Sequence, residues 1–299
     1  MSGAPRKGVD GVYEWLGDEP MLHEPVLVVM LTGWIDAAGA AATAAAAVSQ
    51  ECETSAIVRF DDDTFIDYRA RRPLMELRDG VNTDLVWSTI ELRAGRSTSG
   101  RDVLLLTGPE PDMAWRKFTT TVADIAVELG VTKMIGFGAY PFATPHTRSP
   151  RLSCTSPSRE VLDGVTFARS SVDVPAGAAA ALEHALHDRK VPALGIWVQV
   201  PHYVAAMPYP AASVALLDGL TELTGIEIAA ADLRSGIAPQ RQRIDATIAD
   251  NPEHVAMLRQ LEELYDATID GEVEAGPAFE MQSGDDLADE IQAFLRDQD

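Results

Sequence analysis

The chain has 299 residues, 46% of them hydrophobic, and a formal charge of −22, enough apolar material for one large domain or a domain with an appendage. That charge repels phosphate backbones and excludes nucleic acid as an expected partner, and no stretch approaches the roughly 20 apolar residues of a bilayer span. The first 24 residues hold Arg6 and Lys7 without an apolar signal region, so a soluble, cytoplasmic protein without membrane association is expected. Cys52 and Cys154 are too few for a disulfide or zinc scaffold and read as free thiols.

Pro25 to Leu31 is an unbroken apolar run bounded by turn residues, the pattern of a central strand covered on both faces. An alanine-rich helix from Ala37 to Val48 follows the turn at Gly33. Ser55 to Phe60 is a second strand, ended by Asp61, Asp62 and Asp63, and an arginine-rich loop continues through Asp67, Arg69, Arg71 and Arg72 to Pro73. Val86 to Leu92 and Val103 to Leu106, separated by Gly95, Ser97, Ser99 and Gly100, are expected to pair as a β-hairpin. Asp112 is placed to cap a helix running to about Leu129, Gly130 ends it, and Lys133 to Phe137 is another buried strand. Ala139 to Ser158 holds four prolines and no periodicity, so a long loop is predicted. A short strand at Val165 and Phe167, a helix from Pro175 to Asp188, a strand from Ala193 to Val200 and a helix from Ala211 to Leu223 complete the body.

The pattern then changes. From Thr221 to Asp299 there are 19 acidic residues against 5 arginines, a net of −14. Asn251-Pro252-Glu253 is a helix start, with Val255, Leu258, Leu261 and Leu264 or Tyr265 as its apolar stripe. Gly271 to Gly284 reads as an acidic linker, and Ser283 to Asp286 has the form of a capping box ahead of Leu287, Ile291, Phe294 and Leu295. The strand-helix-strand rhythm predicts an α/β fold, divided into an N-terminal extension (1–24), a core domain (25–224) and an acidic helical C-terminal subdomain (225–299).

Four places could carry chemistry. Gly33-Trp34-Ile35-Asp36 lies at the carboxyl end of the first strong strand, where α/β sheets place ligands. It lacks the glycine spacing of a dinucleotide site and the Lys-Ser/Thr of a phosphate loop, and Asp36 reads first as a helix cap whose charge discourages a phosphate. Glu110, held between Pro109 and Pro111, is a rigid carboxylate at a second strand end. His146, Thr147 and Arg148 bring imidazole, hydroxyl and guanidinium together, able to bind an anion or move a proton. His202 follows the last strand in the same topological position. His184 and His187 lack a third ligand, and Asp61 to Asp63 lack the glycine and terminal glutamate of a calcium loop, so no metal is expected. The candidate ligand-binding set is therefore Gly33, Trp34, Asp36, Glu110, His146, Arg148 and His202, with Asp36, Glu110, His146 and His202 as the catalytic candidates. No nucleophile, base and orienter stand together in sequence, and no cofactor is implied.

Taken in order, Gly33-Trp34-x-Asp36-Ala37, Phe60-Asp61-x-Asp63-x-Phe65-x-Asp67-Tyr68-Arg69, Leu106-Thr107-Gly108-Pro109-Glu110-Pro111, Pro145-His146-Thr147-Arg148 and Pro201-His202-Tyr203 resemble the actinobacterial branch of the proteasome assembly chaperone 2 (PAC2) family. The resemblance implies a three-layer α/β/α sandwich with a largely parallel or mixed sheet, like that of nucleoside phosphorylases and related hydrolases, and a helical appendage near the pocket mouth. It also implies a homo-oligomer, a trimer by preference, and a proteasome-related protein partner. Archaeal relatives dock through a hydrophobic-Tyr-X ending, whereas this sequence finishes Arg296-Asp297-Gln298-Asp299, so docking by that route is not expected. Two functions follow as expectations: an assembly or interaction protein with a small-ligand pocket, or a phosphorylase-like or hydrolase-like enzyme working in the crevice beside Gly33.

Overall fold

The computed structural model describes residues 6–8 and 11–269. In chain order its strands are β1 (Arg6–Lys7), β2 (Tyr13–Trp15), β3 (Val26–Thr32), β4 (Ser55–Phe60), β5 (Leu74–Arg78), β6 (Val81–Val86), β7 (Glu91–Arg96), β8 (Asp102–Pro109), β9 (Lys133–Phe142), β10 (Leu152–Thr155) and β11 (Ala193–Pro201). The helices are α1 (Ala40–Glu51), α2 (Asp62–Phe65), α3 (Trp115–Glu128), α4 (Arg159–Asp163), α5 (Ala178–Asp188), α6 (Pro210–Thr224), α7 (Ala231–Ala249) and α8 (Pro252–Ile269). All strands but β5 and β6 form one mixed sheet in the order β1-β2-β4-β7-β8-β3-β9-β11-β10. Its centre, β8-β3-β9-β11, is parallel, and the flanks are antiparallel.

The unbroken apolar runs are central strands because both of their faces are buried. Val26, Val28 and Met30 of β3 pack with the alanine stripe of α1 and with Leu216, Leu217 and Leu220 of α6. Leu27 and Val29 face the other layer, made with Phe118, Val122 and Ile125 of α3 and Leu182 and Leu186 of α5. The chain is thus an α/β/α sandwich with added C-terminal helices, as its sequence rhythm and family resemblance imply. Small side chains at Ala40, Ala41 and Ala44 let α1 lie close on the sheet, where each buried methyl adds to a continuous dry layer.

Local readings change at several points. The predicted hairpin forms between β7 and β8, but its first strand begins at Glu91, and Val86 belongs instead to a separate hairpin, β5–β6, over residues whose sequence pattern predicts no element. The Ala139 to Ser158 stretch is not a continuous loop: β9 runs on to Phe142 and β10 pairs with β11, because the neighbouring strand supplies partners that outweigh the prolines. Asp112 caps no helix. Its carboxylate accepts the Asp67 N–H at 3.0 Å, and α3 starts later, after Ala114 in a left-handed conformation at φ +54°. Part of the predicted N-terminal extension supplies β1 and β2 at one sheet edge. The acidic linker and the final capping box lie outside the described residues.

One acid is buried in the α5 layer. Glu183 is 5% exposed, and a Cβ at Gly195 would come within 2.6 Å of both its Oε1 and the Thr155 Oγ1, so Gly195 leaves the room it occupies. Burial pushes the Glu183 carboxyl from 4.5 up to about 8, against a weak opposing hydrogen bond from Thr155. An acid whose pKa is raised by folding takes stability away as pH climbs from its ordinary range through its folded value. Glu183→Gln is therefore expected to match the parent below about pH 4.5, to exceed it increasingly up to about pH 8, and to keep a constant advantage above that. At about 1.36 kcal/mol per pKa unit the gain is at most roughly 4–5 kcal/mol. Urea unfolding across that range reads it, and a difference independent of pH would contradict it.

Candidate functional site

The carboxyl ends of β8, β3, β9 and β11 lie along one edge of the sheet, and every sequence-predicted site residue sits on a segment leaving it. These residues fall into two groups. In the first, Gly33 has φ +119°, and a Cβ there would meet the Arg71 guanidinium at 2.7 Å. Arg71 lies over the turn because its Nε donates to both oxygens of Asp112, at 3.0 and 3.1 Å. Glu110 is buried and accepts the Ala178 N–H at the start of α5, while its own N–H donates to the Thr32 carbonyl at 2.6 Å. Trp34 is 39% exposed and shares with Glu110 the space over Gly177.

Asp36 does cap a helix, though from further away than expected. A 3-10 turn at Ala37–Gly39 intervenes, and the carboxylate accepts the N–H groups of Ala41 at 2.8 Å and Ala42 at 3.1 Å in α1. Burial raises its pKa, and those N–H bonds pull in the opposite direction. The carboxylate thus takes up the amides that a phosphate would need.

The second group surrounds a buried histidine. His146 Nδ1 and its backbone N–H both lie 2.8 Å from the Tyr203 hydroxyl, and Nε2 lies 2.9 Å from Asp245 Oδ1 on α7. The hydroxyl oxygen accepts the backbone N–H and has one proton to give, which goes to Nδ1. The neutral ring therefore carries its proton on Nε2 and donates it to Asp245, a tautomer assigned from the network. Burial raises the Tyr203 pKa, which keeps that phenol protonated as the donor.

The following residues bond outward in series. Thr147 Oγ1 donates to Glu262 at 2.5 Å, and Arg148 reaches Asp266 with two bonds of 2.9 and 2.7 Å and Glu262 with a third of 3.1 Å. The Tyr265 hydroxyl donates to the Ser149 carbonyl at 2.8 Å, and the Arg151 guanidinium lies over its ring. Glu262, Tyr265 and Asp266 share one face of α8 at helical spacing, so the loop and the helix meet as matched polar surfaces. The far end of this appendage is held by Glu51 of α1, whose carboxylate accepts the N–H groups of Ala229 at 2.7 Å and Ala230 at 2.6 Å.

A cavity of about 530 Å³ opens between this loop, α6 and α7, walled by His146, Arg148, Leu152, Phe167, Tyr209 and Arg241. It brings His146 and Arg148 together and does not include Gly33, Trp34, Asp36, Glu110 or His202 among its walls. His202 is exposed in a 3-10 turn, its ring 5.3 Å from that of Tyr203. Sequence reasoning missed Tyr203, Asp245, Glu262, Tyr265 and Asp266. Tyr203 stood beside the histidine chosen in its place, and the acids looked like an ordinary solvated helix face.

A three-layer α/β/α body with a helical appendage fastened over its strand ends is the class this geometry defines. A family model for the PAC2 family matches residues 30–248, and the chain belongs to that family. A Mycobacterium tuberculosis protein of unknown function, Rv2714, is 34% identical, with 89% of this chain and 92% of that one covered and a TM-score of 0.80. A PAC2 family protein from Streptomyces avermitilis is 31% identical over 78% of this chain and 99% of that one, at a TM-score of 0.71. The Mycobacterium tuberculosis proteasome-assembly chaperone homologue Rv2125 is likewise 31% identical, covering 79% and 99% of the two chains, at 0.72. Comparison with curated proteins gives no match.

The two neighbouring aromatic-histidine positions should behave differently. Tyr203→Phe leaves the His146 backbone N–H and Nδ1 without their shared hydroxyl in a buried site, and is expected to cost about 1–3 kcal/mol of unfolding free energy. His202→Ala removes an exposed ring and is expected to stay within about 0.5 kcal/mol of the parent. Denaturant midpoints measure both, and equal effects would contradict the assignment.

Proposed function

We propose that this protein acts as an assembly-chaperone-like interaction protein with a proteasome-related partner, working in the cytoplasm, rather than as an enzyme. The observation that carries the reading is how the reactive side chains are used. Asp36 and Glu110 each satisfy a helix N-terminus, His146 is held between Tyr203 and Asp245, and Arg148 is held by two carboxylates. A general base or nucleophile needs a lone pair turned toward a substrate, whereas Asp36, Glu110 and His146 turn theirs toward donors of the fold and Arg148 gives its donors to carboxylates of α8. Family membership and the likeness to the mycobacterial proteasome-assembly chaperone homologue supply the kind of partner.

A second reading is kept because of the cavity beside His146 and Arg148. At about 530 Å³ it falls in the usual size range of small-ligand pockets, and its walls mix aromatic and charged side chains. On that reading His146 and Arg148 bind a small molecule, with Asp36, Glu110 and His202 along the same sheet edge as the remaining enzymatic candidates beside Gly33 and Trp34.

Immobilised full-length protein, challenged with purified actinobacterial proteasome particles and with their separate α and β subunits at about 0.15 M salt, separates the two readings. Retention of subunits or particles is the expected result. No retention, together with a thermal shift on adding nucleosides or small organic anions, would replace the first reading with the second.

A further inference from the structure

Two polar side chains on the wall of the cavity between the His146–Ser149 loop, α6 and α7 take no part in fastening the appendage. Tyr209, immediately before α6, is 5% exposed, and its hydroxyl makes no hydrogen bond among the described residues. That oxygen is not sealed in the interior either, so it opens on the cavity. Burial pushes the phenol up to about 12 against the opposing charge of Arg241, which keeps it a donor near neutral pH. The Arg241 guanidinium likewise makes no hydrogen bond among the described residues. Asp245, one turn along α7, stands 4.0 Å from its Nε and gives its other oxygen to His146. The rest of the wall is apolar where α6 passes Leu152 and Phe167. Gly219 inside α6, a residue type that weakens a helix interior, makes that approach possible: a Cβ there would come within 2.6 Å of Leu152 and 3.5 Å of Phe167.

We infer that the cavity binds a small monocarboxylic acid with an apolar body, its carboxylate accepting from the Tyr209 hydroxyl and the Arg241 guanidinium and its body lying on Leu152, Phe167, Val214 and Ile237. The donors set the head group. One hydroxyl and one guanidinium fork match the two oxygens of a planar monoanion, and hydrogen bonds to a charged acceptor are the strong ones. Charge sets the direction. Asp218 and Glu222, the acids on the cavity wall, lie further along α6, roughly 13–20 Å from Tyr209 on the helix axis. Arg234 already pairs with Asp218 at 2.6 Å. The anionic end therefore sits at the start of α6, and the apolar body runs toward Phe167. The inference rests on the second reading of the cavity, as a small-ligand site. It takes Tyr209 and Arg241 as the groups that hold the ligand in place of His146 and Arg148, whose donors are committed to Asp245, Glu262 and Asp266.

The test is calorimetric titration of the full-length protein with octanoate and, separately, with octan-1-ol, which has the same chain without the charge. Octanoate is expected to bind one to one and at least about tenfold more tightly than the alcohol. Arg241→Gln and Tyr209→Phe are each expected to weaken octanoate by about tenfold and to leave octan-1-ol binding unchanged. Arg241 is more than half exposed and Tyr209→Phe removes only a hydroxyl without a partner, so both variants keep the fold, which an unchanged circular dichroism spectrum verifies. Octan-1-ol binding as tightly as octanoate, or octanoate binding that survives both substitutions, overturns the carboxylate assignment while the cavity stays a ligand site of another class. Binding of neither probe also overturns the inference. The reading of the cavity as a ligand site falls with it only if nucleosides and the other small organic anions give no thermal shift.

Discussion

Four consecutive residues, His146 to Ser149, each bond to the C-terminal helices, and the architecture at the strand ends depends on that seam. His146 takes Asp245 of α7, Thr147 and Arg148 share Glu262, Arg148 also holds Asp266, and Ser149 accepts from Tyr265. An exposed ion pair alone contributes little, because solvent screens it and two long side chains must be ordered. This seam differs in having a fully buried imidazole at one end, whose loss of partners would leave uncompensated polar groups in a dry site. It converts a loop that could have received a ligand into the floor on which the appendage rests.

Carboxylates perform related work elsewhere. The residues at the N-caps of α1, α5 and α7, namely Gly39, Gly177 and Ala230, make no side-chain cap of their own. Asp36 serves α1 from beyond a 3-10 turn, Glu110 reaches α5 from another strand end, and Glu51 at the end of α1 serves the start of α7. Each acid neutralises a helix N-terminus and ties two elements together, so capping and tertiary packing become one interaction. Asp36 and Glu110, acids that look catalytic in sequence, thus each join a helix N-terminus to a strand end in the fold.

How much of this was legible varied with the physics. Strands β3 and β11 read correctly because a strand buried on both faces leaves a nearly continuous apolar run that needs no partner to be seen. The β5–β6 arm has no buried face, so Leu74, Met75, Leu77 and Val81 give no period that distinguishes it from a loop. Asp112 looked like a local cap because its position before a helix is the usual one, yet its carboxylate is claimed by Asp67 and Arg71 across the fold. His146 and Arg148 were picked out for their chemistry, but their partners lie about 100 residues on, and no local spacing encodes Asp245, Glu262 or Asp266 as their complement.

The seam is tested most directly by hydrogen exchange in Arg148→Ala, read by mass spectrometry on peptides from residues 231–269 and from β3. If the loop holds the appendage, exchange in α8 quickens by about tenfold, the signature of a local opening made easier, while β3 is unchanged. Exchange in α8 that matches the parent would mean the helices are held by their apolar contacts alone, and the loop would again be free to serve a ligand.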